Sequence, residues 1–165
     1  MAATDTAGTD SAPPRRVGEP AGDGDVRLTV VSDDLGEIVR LSEALESFCS
    51  ERGVGARAVL DLNLALEEVL TNVISYGFDG MPPGNPRSIG VRFAERGGMV
   101  EVEVSDTGAP FDPLARADVD ITLDASERRI GGLGIHLLKK LMDSVEYRRQ
   151  GERNVLAFRR AGGRT

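Results

Sequence analysis

The sequence predicts a two-layer α/β (α+β) sandwich, in which a mixed, mostly antiparallel sheet carries its helices on one face. Three observations carry that prediction: two helical stripes follow a first strand, two pairs of strand-like stretches form hairpins, and a glycine-opened helix lies between those hairpins. A chain of 165 residues with 40% hydrophobic residues can bury one proper core and is too short for two full ones. Residues 1–24 contain no large apolar side chain beyond Met1 and Val17. They are expected to form a disordered tail ahead of a single domain over 25–161.

In Val26-Arg27-Leu28-Thr29-Val30-Val31, alternation and β-branching predict the first strand. Ser32, Asp33 and Asp34 offer N-caps for a helix whose stripe of Leu35, Ile38, Leu41, Leu45 and Phe48 recurs at helical spacing until Gly53. A second helix is expected from about Ala56 to Ser75. Three Pro and three Gly between Gly77 and Pro86 interrupt any regular element. Ile89 to Phe93 and Met99 to Val104 alternate at period two around Gly97-Gly98, the pattern of a hairpin. Residues 112–129 are polar and weakly patterned, which suits a functional loop or lid. A helix from about Gly134 to Met142 follows, and a last hairpin turns at Gly151 between Val145-Arg148 and Asn154-Phe158.

Composition excludes several classes. A formal net charge of -7 argues against direct nucleic-acid binding, which needs clustered Lys and Arg. The single cysteine, Cys49, rules out an intramolecular disulfide and a cysteine-rich zinc site, and its apolar helical setting predicts a buried thiol. No apolar run approaches the roughly 18 residues of a membrane span, and the N-terminus lacks the apolar core of a secretory signal, so a cytoplasmic protein is expected.

The residues with chemistry fall in three places. In Leu66-Glu67-Glu68-Val69-Leu70-Thr71-Asn72, a turn of about 100° per residue puts Glu68 and Asn72 on one flank, away from the stripe of Leu62, Leu66, Val69 and Val73, while Glu67 points elsewhere. The Asn72 oxygen suits a hard cation such as Mg²⁺, and Glu68 could accept a proton beside it. Asp106 ends a strand whose Val100, Val102 and Val104 face the core, so its carboxylate is expected at the sheet edge, where it could accept a hydrogen bond from an exocyclic amine. Gly108 lets the backbone turn or pass close to a flat ligand. Asp-Thr-Gly-Ala also marks retroviral-type aspartic proteases, but those are all-β proteins and two amphipathic helices precede the motif here. Gly131-Gly132-Leu133-Gly134 opens a helix whose N–H groups would suit phosphate; no Gly-Lys-Ser/Thr follows, so it is not a Walker loop. Arg128 and Arg129 lie near enough to reach phosphate oxygens or an acidic partner surface. His136, the only histidine, has no Cys or His companions and reads as structural or solvent-exposed.

These elements, in this order and spacing, resemble the GHKL ATPase superfamily, and among its members the bacterial anti-sigma factor serine/threonine kinases. The likeness covers about Val26 to Arg160. It implies a Bergerat-type ATP-binding fold, with Glu68 as general base, Asn72 as Mg²⁺ ligand, Asp106 with Gly108 reading adenine, and Gly132 and Gly134 wrapping phosphates at the end of a lid. It further implies ATP and Mg²⁺ as cofactors, a STAS-type anti-anti-sigma protein as substrate, and a sigma factor as the alternating partner, and it leaves room for a homodimer. Ser75-Tyr76-Gly77-Phe78 departs from the His-Ala/Gly-Tyr of many relatives. Two other readings stay open: an ATP-binding module that never transfers phosphate, and a switch kinase for a signalling scaffold without sigma binding.

Overall fold

The computed structural model describes residues 26–30, 35–115 and 132–163. The 1–24 tail, Ser32 to Asp34, and Arg128, Arg129 and Gly131 therefore lie outside the described residues, as does most of the expected lid. Five strands, β1 (Val26–Val30), β2 (Ile89–Arg96), β3 (Met99–Asp106), β4 (Ser144–Gln150) and β5 (Arg153–Ala161), form one sheet in the order β1-β2-β3-β5-β4. Every pairing is antiparallel, so the expected mixture contains no parallel pair among the described strands. Three helices, α1 (Gly36–Glu51), α2 (Ala56–Asn72) and α3 (Gly132–Leu141), supply the other layer.

Period-two alternation decides which face of the sheet the helices cover. Ile89, Val91 and Phe93 of β2, Val100, Val102 and Val104 of β3, and Leu156 and Phe158 of β5 are buried. They meet Leu41, Leu45 and Phe48 of α1, Leu62, Leu66 and Leu70 of α2, and Leu138 of α3 in one core. Phe93, Val102 and Phe158 lie in one cross-strand row, and Phe48 tilts over Phe93 with ring centroids 5.8 Å apart. Each such side chain contributes about 1.5–3 kcal/mol by leaving water. No helix among the described residues packs on the opposite face. There Arg92 joins Glu101 and Glu103, Arg148 joins Glu103, and Arg159 bridges Glu101 and Glu146 across four strands. Burial opposes the charge on Glu101, but Arg159 and Arg92 outweigh it and lower its pKa.

The element boundaries show where local chemistry diverges from pattern. α1 starts at Gly36 with Leu35 at its N-cap and no side-chain cap bond, and Leu35 is 57% exposed, so the stripe begins one turn later than expected. α2 ends at Asn72 and passes directly into a π turn, Val73–Gly77, in place of the uniform helix to Ser75. α3 begins two residues earlier than expected, at Gly132, and a short 3-10 turn over Pro113–Ala115 opens the segment read as a lid. Leu138 is fully buried, whereas Leu137 is half-buried and outside the core cluster. Both hairpins form as expected, with Gly97 and Gly98 at φ 59° and 81° between Arg96 and Met99, the sign a two-residue type I′ turn demands at both positions.

Asp61 ties the layers together by charge. It is 1% exposed on α2 and pairs with Arg57 at 3.0 Å and with Arg160 of β5 at 3.1 Å. Arg160→Met should cost roughly 2–4 kcal/mol, because a buried carboxylate then keeps only an exposed partner. Adding Asp61→Asn should recover most of that loss in urea denaturation; equal losses in the single and double variants would contradict the pairing. Cys49 is buried as expected, and burial pushes its thiol from 9.0 up to about 11, with Arg52 partly opposing. The folded pKa is raised, so this contribution is complete below pH 9 and is lost as pH rises from 9 to 11. Stability should therefore fall less steeply over that window in Cys49→Ala, although a cavity lowers its stability at neutral pH.

Candidate functional site

The helix period sets the first part of the site. With Leu62, Leu66 and Val69 pointing into the core, Glu68 and Asn72 fall one turn apart on the flank of α2, and both are half-buried. Glu67 is exposed and turns toward Ser42 of α1. Just past Asn72, the π turn carries Gly77 to a position where its carbonyl lies against Gly108. Any Cβ at Gly108 would collide with that carbonyl, so the glycine is required here by close approach. Single π turns inside helices are frequent at functional sites.

The second part sits at the end of β3. The alternation that buries Val100, Val102 and Val104 also turns Asp106 inward, where it is 6% exposed. Asp106 is not at the sheet edge: β3 is a central strand, and Asp106 is paired with Ile89 on one side and Asn154 on the other. Its Oδ1 accepts hydrogen bonds from the Gly108 N–H at 2.8 Å and from Asn154 Nδ2 at 2.9 Å. Thr107 secures the turn, its hydroxyl accepting from the Ser88 N–H at 3.0 Å and donating to the Pro86 carbonyl at 2.7 Å.

The third part arrives on α3. Gly134 is buried in its first turn, facing Glu68 so closely that a Cβ would run into the Glu68 carboxylate, with Cδ at 3.0 Å. Leu138, one turn on, anchors the helix in the core. Gly132 and Leu133 are the first two residues of α3. His136 is half-buried, with Nε2 lacking a hydrogen-bond partner among the described residues. The fold thus brings Glu68 to Gly134 and Gly77 to Gly108, which joins three segments that are far apart in the chain.

One polar group was absent from the sequence-based site. Asn154, 7% exposed on β5, donates to Asp106 and to the Ala109 carbonyl, both at 2.9 Å. Its Oδ1 accepts from the Phe111 N–H, the Tyr147 hydroxyl and Arg149 Nη1. A signal existed, since Asn154 shares the inward face with Leu156 and Phe158. Its meaning depends on the β3–β5 register, which joins strands that are not consecutive in sequence.

The arrangement offers a carboxylate one helical turn from a carboxamide, a second carboxylate fixed by neutral donors, and a helix start packed against the first carboxylate. No helix among the described residues is long and apolar enough to cross a membrane. The described residues hold no group of three His, Cys, Asp or Glu side chains able to bind a metal alone.

Comparison with known proteins gives these parts a context. Residues 31–160 match the model of the histidine kinase-like ATPase domain. The chain is 36% identical to the serine-protein kinase RsbW of Listeria monocytogenes over 107 residues, which cover 62% of this chain and 66% of that protein. It is 31% identical to the serine-protein kinase RsbW of Bacillus pumilus over 115 residues, covering 66% of this chain and 68% of that one. A crystal structure of the RsbU and RsbW domains of a Mycobacterium tuberculosis protein shares the fold, with a TM-score of 0.54 and 14% identity over 84% of this chain and 34% of that one. With its matched segment, its helix-on-sheet architecture and its three converging glycine and carboxylate boxes, the chain belongs to the histidine kinase-like ATPase domain family, in the group of the RsbW serine-protein kinases.

Proposed function

We propose that this chain is a serine/threonine protein kinase that uses ATP with Mg²⁺, phosphorylates a STAS-type anti-anti-sigma protein, and alternates that reaction with holding a sigma factor. The observation that carries the reading is the approach of Glu68 to Gly134, one turn from Asn72. A module that only bound nucleotide would have no use for a half-buried carboxylate at the start of α3. The matched relatives named serine-protein kinases support the activity, although the chain spans only 66% of the length of the Listeria relative.

In this reading, Glu68 accepts the proton of a serine or threonine hydroxyl as its oxygen bonds to the γ-phosphorus. The bond from that phosphorus to the bridging oxygen breaks, and ADP leaves with the electron pair. The donor set fits Mg²⁺, which takes oxygen ligands and is commonly held by one or two protein groups plus substrate phosphates. Asn72 would supply the amide oxygen, and the nucleotide phosphates would supply further ligands. When bound, the ion neutralises charge on the phosphates. Asp106 is assigned to the exocyclic amine of adenine. Both of its described donors go to Oδ1, and neither carries a formal charge. The carboxylate therefore keeps its acceptor strength for a ligand. Gly132 and Gly134 would let the α3 backbone reach phosphate, and Arg128 and Arg129 are proposed to assist from outside the described residues.

Two variants separate recognition from chemistry. Asp106→Asn keeps its shape, and its oxygen can still accept from Asn154, but it then presents an N–H where adenine also presents one. ATP affinity should fall by roughly 1–3 kcal/mol, and calorimetry showing unchanged affinity would contradict the adenine assignment. Glu68→Gln is nearly isosteric and cannot take a proton. Transfer of radiolabelled phosphate to STAS-domain proteins of the same genome should drop about 10²–10⁴-fold with ATP affinity little changed. Transfer at the wild-type rate would remove Glu68 from the chemistry, and no transfer by the wild type to any of them would favour a pure binding module.

A further inference from the structure

We propose that Tyr147 and Arg149, on the edge strand β4, are positioning residues that fix the amide of Asn154 and through it the acceptor face of Asp106. The inference rests on the reading of Asp106 as the group that meets the adenine amine. Neither residue lies in the glycine or carboxylate motifs, and both act through Asn154.

An amide side chain has two ends of nearly equal shape, so its orientation is decided by what surrounds each end. Around Asn154 Oδ1 stand three donors: the Phe111 N–H at 3.3 Å, the Tyr147 hydroxyl at 2.9 Å and Arg149 Nη1 at 2.9 Å. Around Nδ2 stand two acceptors, Asp106 Oδ1 and the Ala109 carbonyl, each at 2.9 Å. Reversing the amide would set oxygen against oxygen at both acceptors, and N–H against N–H at Phe111 and Arg149. The tyrosine hydroxyl could turn and accept from a reversed amide. The guanidinium cannot, because it has no acceptor. Arg149 is therefore the stronger lock. It also donates to the Gly108 carbonyl at 3.0 Å, while the Gly108 N–H donates to Asp106. Arg149, Gly108, Asp106 and Asn154 thus close a ring of hydrogen bonds.

The ring matters because Asp106 and Asn154 are both buried, and a buried polar group left facing its own kind is costly. With the amide reversed, Asp106 would lose one of its two described donors and meet a carbonyl oxygen in its place. The carboxylate would turn away to relieve that repulsion, and the acceptor that an adenine amine needs would no longer be held in place. Arg149 is an exposed residue on the outermost strand, so its role at the base site is exerted through the ring and not through the core.

The test compares ATP with purine riboside triphosphate, which lacks the exocyclic amine, by calorimetry on the full chain. Arg149→Met should weaken ATP about tenfold, the loss of roughly one hydrogen bond to a charged group, and should leave the analogue's affinity unchanged. Tyr147→Phe should show a smaller selective loss, and Arg149→Lys, which keeps a donor and adds no acceptor, should restore ATP binding. Equal weakening of both nucleotides in Arg149→Met, or no weakening of either, would overturn the positioning role. Asp106→Asn separates the two layers of the inference. If it loses ATP selectively while Arg149→Met does not, only the positioning role fails; if the wild type binds both nucleotides equally, the adenine reading fails and takes the positioning role with it.

Discussion

The candidate site depends on how closely α3 lies against α2, and that distance is set at Gly134. A side chain there would meet the Glu68 carboxylate, and the burial of Leu138 one turn later leaves α3 little freedom to shift away. A second backbone contact, Gly108 against the Gly77 carbonyl, holds the end of β3 to the π turn that follows Asn72. Between these two approaches, carboxylates and amides from distant parts of the chain come to one end of the sheet. Forcing a methyl group into either place would mean overpacking, typically about 1–3 kcal/mol, and would move the Glu68 flank of α2 relative to the start of α3, or the end of β3 relative to the π turn.

The same alternation that builds the core also builds its polar ends. On β5 the inward row runs Asn154, Leu156, Phe158, Arg160, and on β3 it runs Val100, Val102, Val104, Asp106. Antiparallel pairing puts Asp106 beside Asn154 and Val100 beside Arg160. Each end therefore holds a buried aspartate with a different fate. Asp61 is met by two arginines, which neutralise it and make it a structural tie between helix and sheet. Asp106 is met by the N–H groups of Gly108 and Asn154, which orient it without cancelling its charge. That contrast supports a ligand-facing role for Asp106, where Asp61 has none.

Much of this was legible in the sequence because it is periodic or punctuated. The valines of β3 and the leucines of α2 announce their faces, and the same counting placed Glu68 and Asn72 together and turned Glu67 away. Gly97-Gly98 and Gly151 marked their hairpins. The π turn had no signal, since Val73 to Gly77 continue the helical composition and differ only in how the backbone closes. Leu35 matched the stripe by spacing but fell at the N-cap, where a side chain need not face the core. Asp106 was expected at an edge because strand order is not written in any single strand. Asn154 shows the same limit more sharply: its polarity is visible, but its partner is chosen by a pairing across intervening elements. Residues 112–129 offered little pattern, and of them only Asp112 and the 3-10 turn at Pro113–Ala115 are described.

The most direct test of the central claim, that three separated boxes hold one nucleotide, is a crystal structure of the chain with Mg²⁺ and a non-hydrolysable ATP analogue. The adenine amine should lie within hydrogen-bond distance of Asp106, the metal should carry the Asn72 oxygen, and the phosphates should rest at the start of α3 beside Glu68. A nucleotide bound elsewhere, or one whose base is turned away from Asp106 while its phosphates avoid α3, would contradict it.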